Sequence, residues 1–283
     1  MTSLFPTLSH YQAKTLLEAR HHSRPHVRVS LDLELSRVEV NIQHDGAQLP
    51  QGDLLSWAVI GHIADHENAC FRIQNGEAHV IQAYSEAYAL AYSLYPTASA
   101  PTMLISGKPM HRIKGTDPHR DTLSKIAAIG SAQGFVLDTC TGLGYTAIEA
   151  AKTAALVTTI ELDPAAQEIA RQNPWSQGLF TNKRIVQTIG DSAEVIIGIE
   201  TASYNMIIHD PPMLSLGGEL YSLDFYHEAY RVLKPRGRMF HYIGNPESAS
   251  GATVTKGTMK RLSQAGFHVI IPKPAAFGVL AYK

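Results

Sequence analysis

The sequence predicts an α/β chain in two parts: an antiparallel, strand-rich N-terminal region, then a doubly wound, mostly parallel sheet covered by helices. Three observations carry this expectation. The first 110 or so residues contain short runs of period-two hydrophobicity separated by turn residues. From Thr122 onward, helical and strand patterns alternate, the signature of repeated βα units. Acidic and glycine residues recur at the ends of the strands in that second part, where open α/β sheets bind their ligands.

In the N-terminal part, Tyr11 to Arg20 predicts a short helix, with Ala13, Leu16 and Leu17 at compatible spacing. Val27 to Leu35 alternates apolar and polar residues as a half-buried strand does, Val38–Ile42 repeats the pattern, and Ser36-Arg37 turns between them. Leu54 to Asn68 predicts a helix. Ala69–Ile73 and Ala78–Ile81 flank Asn75-Gly76, a strong hairpin signal. Tyr84, Tyr88, Tyr92 and Tyr95 stand at helical spacing and suggest a packed stripe. Pro101 to Asp121 is punctuated by Pro101, Gly107, Pro109, Gly115 and Pro118, which marks a connector. The expected organisation is therefore a strand-rich domain over 1–110, a connector over 111–121, and the α/β domain over 122–283.

The second part predicts helices over Leu123 to Gly130, Tyr145 to Thr153, Pro164 to Asn173, Ala193 to Ile199 and Leu223 to Leu233. Asp163 caps the third of these, with Pro164 at its first position. Strands are expected over Gly134–Asp138, Leu156–Glu161, Ile185–Ile189, Asn205–His209 and Arg238–Tyr242.

Composition narrows the function. The chain has 283 residues, 45% hydrophobic and 17% charged, which suits a folded protein. No apolar stretch approaches the roughly 20 residues that span a bilayer, and the N-terminus lacks the pattern of a signal peptide. Two cysteines, Cys70 and Cys140, write no disulfide framework, so a reducing cytoplasm is expected. The net charge of −1 favours a small or weakly charged substrate over nucleic acid. A polynucleotide stays open through the basic run Arg20 to Arg28, although such runs are usually solvated faces. Oligomeric state is not written in the sequence.

The loop Asp138-Thr139-Cys140-Thr141-Gly142-Leu143-Gly144 joins a strand to the helix beginning at Tyr145. Gly142 and Gly144 let a backbone approach a ligand closely. The pattern Gly142-Leu143-Gly144-Tyr145-Thr146-Ala147 also fits a dinucleotide fingerprint, but the acid Asp138 precedes the glycines. A carboxylate there repels a pyrophosphate and suits a ligand bearing an ammonium and a sulfonium. Glu161, followed by Leu162, ends the next strand, where an acid accepts both hydroxyls of a ribose. Gly190-Asp191-Ser192 follows the strand after that, with Asp191 expected to meet an adenine amino group.

These segments, with His209-Asp210-Pro211-Pro212 and Arg231 to Arg238, resemble the class I S-adenosylmethionine-dependent methyltransferases over roughly residues 120–283. More narrowly, Asn173-Pro174-Trp175-Ser176, Gly218 to Ser222 and Ile105 to Asp117 are similar to a family of methyltransferases often labelled spermine-synthase-like. The resemblance implies a Rossmann-like fold and S-adenosylmethionine as cofactor. Asp138, Thr139, Gly142, Gly144, Tyr145, Glu161, Leu162, Gly190, Asp191 and Ser192 are its expected ligands.

In amino-methyltransferases with an Asp/Asn-Pro-Pro turn, the acid and a backbone carbonyl hold the acceptor amine. That implies catalytic roles for Asp210 and Pro211, and His209 is a candidate general base beside them, with a neutral core histidine as its alternative. Pro212, Tyr221, His111 and Arg112 are expected at the substrate. Met213 stands where those enzymes place an aromatic residue, a departure that lowers the expectation of a nucleobase acceptor and that Tyr221 or Tyr226 would compensate.

The expected activity is therefore methyl transfer to an amine or another polar nucleophile on a small-molecule acceptor. Its alternatives are aminopropyl transfer from the decarboxylated cofactor, and a cofactor-binding protein without catalysis. No metal is expected: His62 and His66 share one helix face but lack an identified third ligand. Cys140 has no activating neighbour in the sequence and suits loop packing.

Overall fold

The computed structural model describes residues 5–212, 217–245 and 247–283. The chain divides into two compact units. One comprises the residues up to His119 together with Ala165–Gln177, and the other comprises Arg120–Pro164 and Gly178–Lys283.

The first unit holds three small antiparallel sheets. Helices His10–His21 and Trp57–Asp65 accompany them. Ser9 and Gln12 form a capping box that starts the first helix. Leu16, Val40, Leu55, Ile60, Ile63 and Phe71 pack into its core. The Asn-Gly hairpin forms as expected: Phe71–Gln74 pairs with Glu77–Val80 across Asn75 (φ 53°) and Gly76 (φ 77°).

Several local expectations fail in this unit. The strand from Val27 stops at Val29, because Leu33 and Glu34 take positive φ (53° and 74°) in a longer connection, stabilised by Ser30 and Asp32 side chains. The strand nonetheless pairs with Val38–Ile42. Leu54–Ser56 is a strand, and the helix begins only at Trp57, where the Ser56 hydroxyl caps it. The tyrosines lie on and between two strands, Gln82–Ser85 and Leu90–Tyr95, so their spacing of four is not helical packing. Tyr92 is buried while Tyr84 is 62% exposed. The expected connector is largely structured: Thr102–Ile105 and Lys108–Pro109 form a hairpin over Ser106-Gly107, and a helix begins at Pro118.

Labels below belong to the second unit. Its seven-stranded sheet comprises β1 (Phe135–Asp138), β2 (Leu156–Glu161), β3 (Ile185–Ile189), β4 (Tyr204–His209), β5 (Leu233–Tyr242), β6 (Val269–Lys273) and β7 (Gly278–Tyr282). Their spatial order is β3-β2-β1-β4-β5-β7-β6. The first five strands are parallel, and β7 pairs antiparallel to both β5 and β6. Helices α1 (Pro118–Ile129), α2 (Tyr145–Ala150), α3 (Leu223–Val232) and α4 (Ala249–Gln264) alternate with the strands.

Strand order reverses between β1 and β4, so the loop after β1 and the turn after β4 emerge side by side at the carboxyl edge. That juxtaposition is what the fold contributes to function. Leu137, Ile160, Ile207 and Met239 of the sheet form a core with Phe225, Tyr226 and Leu262. β6, β7 and α4 are elements the sequence reading did not anticipate. Their strands contain Pro272 and Gly278, which break the usual strand pattern.

Among the described residues, no helix is long and apolar enough to cross a membrane.

Candidate active site

The loop after β1 is wired into the sheet by side chains on its own floor. Asp138 is fully buried. Its Oδ2 accepts the Thr159 hydroxyl at 2.8 Å, and Thr146 donates to the same carboxylate at 3.4 Å. Burial pushes its pKa up to about 8, although the threonine hydrogen bonds act in the opposite sense. Asp138, expected to meet a cationic ligand, bonds within the chain to Thr159 of β2 and Thr146 of α2 and so ties the loop to the sheet. Thr139 and Ser192 do comparable work. The Thr139 N–H donates to the Ile208 carbonyl at 3.0 Å, and the Ser192 hydroxyl donates to the Thr139 carbonyl. Both side chains are buried, so they brace the site.

Gly142 and Gly144 adopt φ of 52° and 75°, which only glycine takes without strain. A Cβ at Gly144 would also meet Leu179 Cδ2 at 2.8 Å. Tyr145 begins α2 and is buried.

Glu161 closes β2 and reaches back to this loop. Its Oε2 accepts the Gly142 N–H at 2.7 Å, and its Oε1 accepts the Asp163 N–H at 3.1 Å. Each oxygen of a carboxylate has a second lone pair, so the group remains able to receive two hydroxyls. Burial raises its pKa, opposed by these backbone donors. Leu162 and Ile189, at the ends of adjacent strands, are 41% and 46% exposed, an apolar pair suited to the faces of an adenine ring. The Gly190 N–H bonds the Glu161 carbonyl at 2.8 Å, and Asp191 caps the following turn through Ala193 at 2.8 Å. No described residue donates to its other oxygen. A carboxylate for a diol, an exposed apolar pair and a tight glycine loop together fit S-adenosylmethionine.

At the neighbouring strand end, Asp210 follows β4. Its Oδ2 accepts a hydrogen bond from the Lys125 ammonium of α1 at 2.6 Å. Lys125 is also 3.0 Å from Asp121, one helical turn earlier, and its Nζ lies 4.5 Å from the centre of the Tyr242 ring. Lys125 and Asp121 are buried, whereas the Asp210 side chain is 18% exposed. Burial alone would disfavour the ammonium, but the two carboxylates outweigh it and hold its pKa above the ordinary lysine value. Burial also raises the Asp210 pKa, with Lys125 pulling it back down.

His209 does not have the environment of a general base. Its ring is fully buried, Nδ1 takes the Thr139 hydroxyl at 2.7 Å, and Nε2 faces the Leu220 carbonyl at 2.9 Å. Burial pushes its pKa down to about 4, which keeps the ring neutral. The core-histidine alternative describes it. Phe225 stacks on it, with ring centroids 4.6 Å apart.

Pro211 is buried and Pro212 exposed, and the Pro212 carbonyl accepts the Tyr221 hydroxyl at 3.1 Å. Tyr221 and Tyr226 are both buried, Tyr226 against His241 at 2.8 Å, so neither offers a stacking surface in place of an aromatic at Met213. Met213 itself lies outside the described residues.

His111 and Arg112 belong to the first unit, where the His111 ring meets the Thr102 hydroxyl at 3.0 Å. Asn173 and Trp175 are also there, with the indole donating to the Leu33 carbonyl at 2.8 Å. His66 turns its Nδ1 to the His62 carbonyl at 2.7 Å. No group of three or more His, Cys, Asp or Glu among the described residues is arranged to hold a metal. Burial raises the Cys140 pKa well above its ordinary value, so the thiol stays protonated.

Sequence reasoning missed Lys125 and Tyr242 as members of this site. The available signal was an i, i+4 acid–base pair inside an otherwise amphipathic helix, which usually marks a solvated face.

The family model described as "Methyltransferase small domain" matches residues 118–264. An uncharacterized protein of Methanocaldococcus jannaschii is 39% identical over 287 residues, covering 99% of this chain and 98% of that protein. The 4-amino-L-phenylalanine/4-methylamino-L-phenylalanine methyltransferase of Streptomyces pristinaespiralis is 29% identical over 167 residues, covering 49% of this chain and 54% of the enzyme. Among solved structures, spermidine synthase in complex with the transition state analogue AdoDATO superimposes with a TM-score of 0.59. It shares 17% identity and covers 75% of this chain and 74% of that one, a likeness of fold.

Proposed function

Since the chain belongs to the methyltransferase small domain family, a class I S-adenosylmethionine-dependent group, we propose that it transfers a methyl group to an amine or comparable polar nucleophile. The observation that carries this reading is Asp210, a partly exposed carboxylate at the switch point, beside the loop that suits the cofactor. When bound, S-adenosylmethionine supplies an electrophilic methyl on its sulfonium. Glu161 would hold the ribose hydroxyls, Leu162 and Ile189 would flank the adenine, and Asp191 would receive its amino group.

The protein's task is then positioning and exclusion of water. Asp210 has one oxygen on Lys125, and no described residue donates to the other. A carboxylate oxygen in that state accepts N–H hydrogen bonds from an acceptor and aims the nitrogen lone pair. It also favours the positive charge that develops as the N–C bond forms, and it leaves the departing proton an acceptor. The prolines after it remove backbone donors and hold φ, which keeps the turn rigid. The activity of the Streptomyces pristinaespiralis enzyme on an amino-bearing amino acid supports an amine as the acceptor class.

The reading is tested by calorimetric titration with S-adenosylmethionine, S-adenosylhomocysteine and decarboxylated S-adenosylmethionine, followed by transfer of labelled methyl to a panel of primary and secondary amines. The expectation is binding of the first two and labelling of an amine. Binding confined to the decarboxylated form would replace this reading with aminopropyl transfer. Cofactor binding without any transfer across the panel would favour a non-catalytic protein.

A further inference from the structure

Lys125 is a buried cation whose surroundings are unusually complete. Its ammonium is 2.6 Å from Asp210, 3.0 Å from Asp121 and 4.5 Å from the Tyr242 ring centre, and its side chain is only 2% exposed. A lysine pays a large desolvation cost to sit in such a place, and two carboxylates offset it. Of the three charged groups, only Asp210 reaches solvent, and only Asp210 lies at the strand end where an acceptor is expected. The other two are buried away from an acceptor. Their effect is exerted through Asp210.

We propose that Lys125 is the positioning residue of the acceptor site: it pins Oδ2 of Asp210 and so leaves Oδ1 as the single oxygen presented to an acceptor N–H. Asp121 completes the arrangement by holding the ammonium from the other side. A carboxylate anchored at one oxygen has lost its rotational choice, which supplies the fixed geometry that a direct displacement needs. The same contact favours the ionised acid in a site whose burial opposes ionisation. The proposal rests on the reading of Asp210 as the acceptor-binding group.

The groups that face Asp210 come from several elements. Asp121 and Lys125 belong to α1, Asp138 and Cys140 to β1 and its loop, and Tyr221 to the turn before α3, while Tyr242 of β5 faces Lys125. Lys125 is the cation of this set, and Asp121 acts against ionisation of Asp210. Removing Lys125 must then raise the midpoint at which Asp210 loses its proton, and removing Asp121 must lower it.

The test is a ¹³C carboxylate titration of the full chain labelled at aspartate Cγ, with the Asp210 signal assigned through Asp210→Asn. Lys125→Met is expected to raise the Asp210 midpoint by about two pH units, a shift of the size produced by a close charge partner. Lys125→Arg is expected to keep it near the wild-type value, and Asp121→Asn to lower it. Should Lys125→Met fail to fold, Asp121→Asn and Lys125→Arg decide the matter. An Asp210 midpoint that stays put in every folded variant overturns the proposal.

Calorimetric affinity for S-adenosylmethionine is expected to change less than about threefold in each variant, and a large loss would mean that Lys125 supports the cofactor region instead, again overturning it. The outcome is separable from the functional reading. Midpoints that shift as expected in a protein that methylates no amine would retain the Lys125 assignment and remove the methyl-transfer reading.

Discussion

The carboxylates at the nucleoside end of the sheet and the carboxylate at its acceptor end are held by different kinds of partner. Glu161 and Asp191 bond backbone N–H groups, those of Gly142, Asp163 and Ala193, close to the strand ends themselves. Asp210 bonds a side chain 85 positions away, on the helix before β1. A carboxylate held by backbone amides keeps its place as long as the loops at the adjacent strand ends exist. A carboxylate held by one buried ammonium depends on how α1 packs beside β4. The nucleoside end thus rests on main-chain donors of neighbouring strand-end loops, and the acceptor end on one buried side chain.

The sharpest way to break this contrast is Lys125→Met. It strands two carboxylates without their cation, so unfolding by urea should show a loss of about 3–5 kcal/mol, as for other buried pairs stripped of one partner. A cost below about 1 kcal/mol would show that the acceptor end is no more dependent on packing than the nucleoside end. Next in size, Asp210→Asn should slow methyl transfer to the amine found by screening about 10²–10³-fold. Cofactor affinity should change little, because Asp210 contacts none of the residues that fit the nucleoside.

The converse substitution is Glu161→Ala. It removes two charge-assisted hydrogen bonds to ribose, about 2–3 kcal/mol, so the calorimetric dissociation constant for S-adenosylmethionine should rise about 30–150-fold. An unchanged affinity would detach Glu161 from the cofactor.

The smallest effect per unit of the variable concerns pH. Asp138 ionises near 3.8 when unfolded but holds its proton to about 8 when folded. The unfolded chain therefore releases this proton first as pH rises. The stability it contributes is fully present below about pH 4 and is lost progressively up to about pH 8, at no more than about 1.4 kcal/mol per pH unit. His209 acts in the opposite sense. Its folded pKa of about 4 lies below its ordinary 6.5, so its contribution is lost as pH falls through that interval. Asp138→Asn should remove the alkaline-side decline in the urea midpoint between pH 5 and 8, while leaving the acid-side decline in place. Parallel pH profiles for variant and wild type would show that Asp138 does not carry the proton assigned to it.

How much of this was legible follows the same division. β2 and β3 have the bounds their β-branched runs predict, because Val, Ile and Thr favour the extended backbone. The glycine loop, Glu161 and Asp191 were legible because each stands at or just after the end of a strand that its own apolar run marks. The limits appeared where a partner was remote. Asp138 reads as an exposed acid beside glycines, yet Thr146 and Thr159 enclose it. His209 reads as a base beside an acid, yet Thr139 and Leu220 occupy both its nitrogens. The tyrosine spacing of Tyr84, Tyr88 and Tyr92 fits a helix, yet hairpin pairing between Gln82–Ser85 and Leu90–Tyr95 overrides it.

By itself, the sequence determined the order of strands and helices in the second unit as far as β5, and the glycine positions of the loop around Gly142 and Gly144. These follow from hydrophobic period and from φ angles open to glycine, which are short-range quantities. Tertiary structure alone decided which polar groups are withdrawn from solvent and which remain available. It buried Asp138 and His209 and shifted their proton affinities in opposite directions. It also brought Lys125 within 2.6 Å of Asp210, leaving that acid as the partly exposed group at the switch point. Desolvation and ion pairing depend on what packs in space, and residues far apart in the chain supply them.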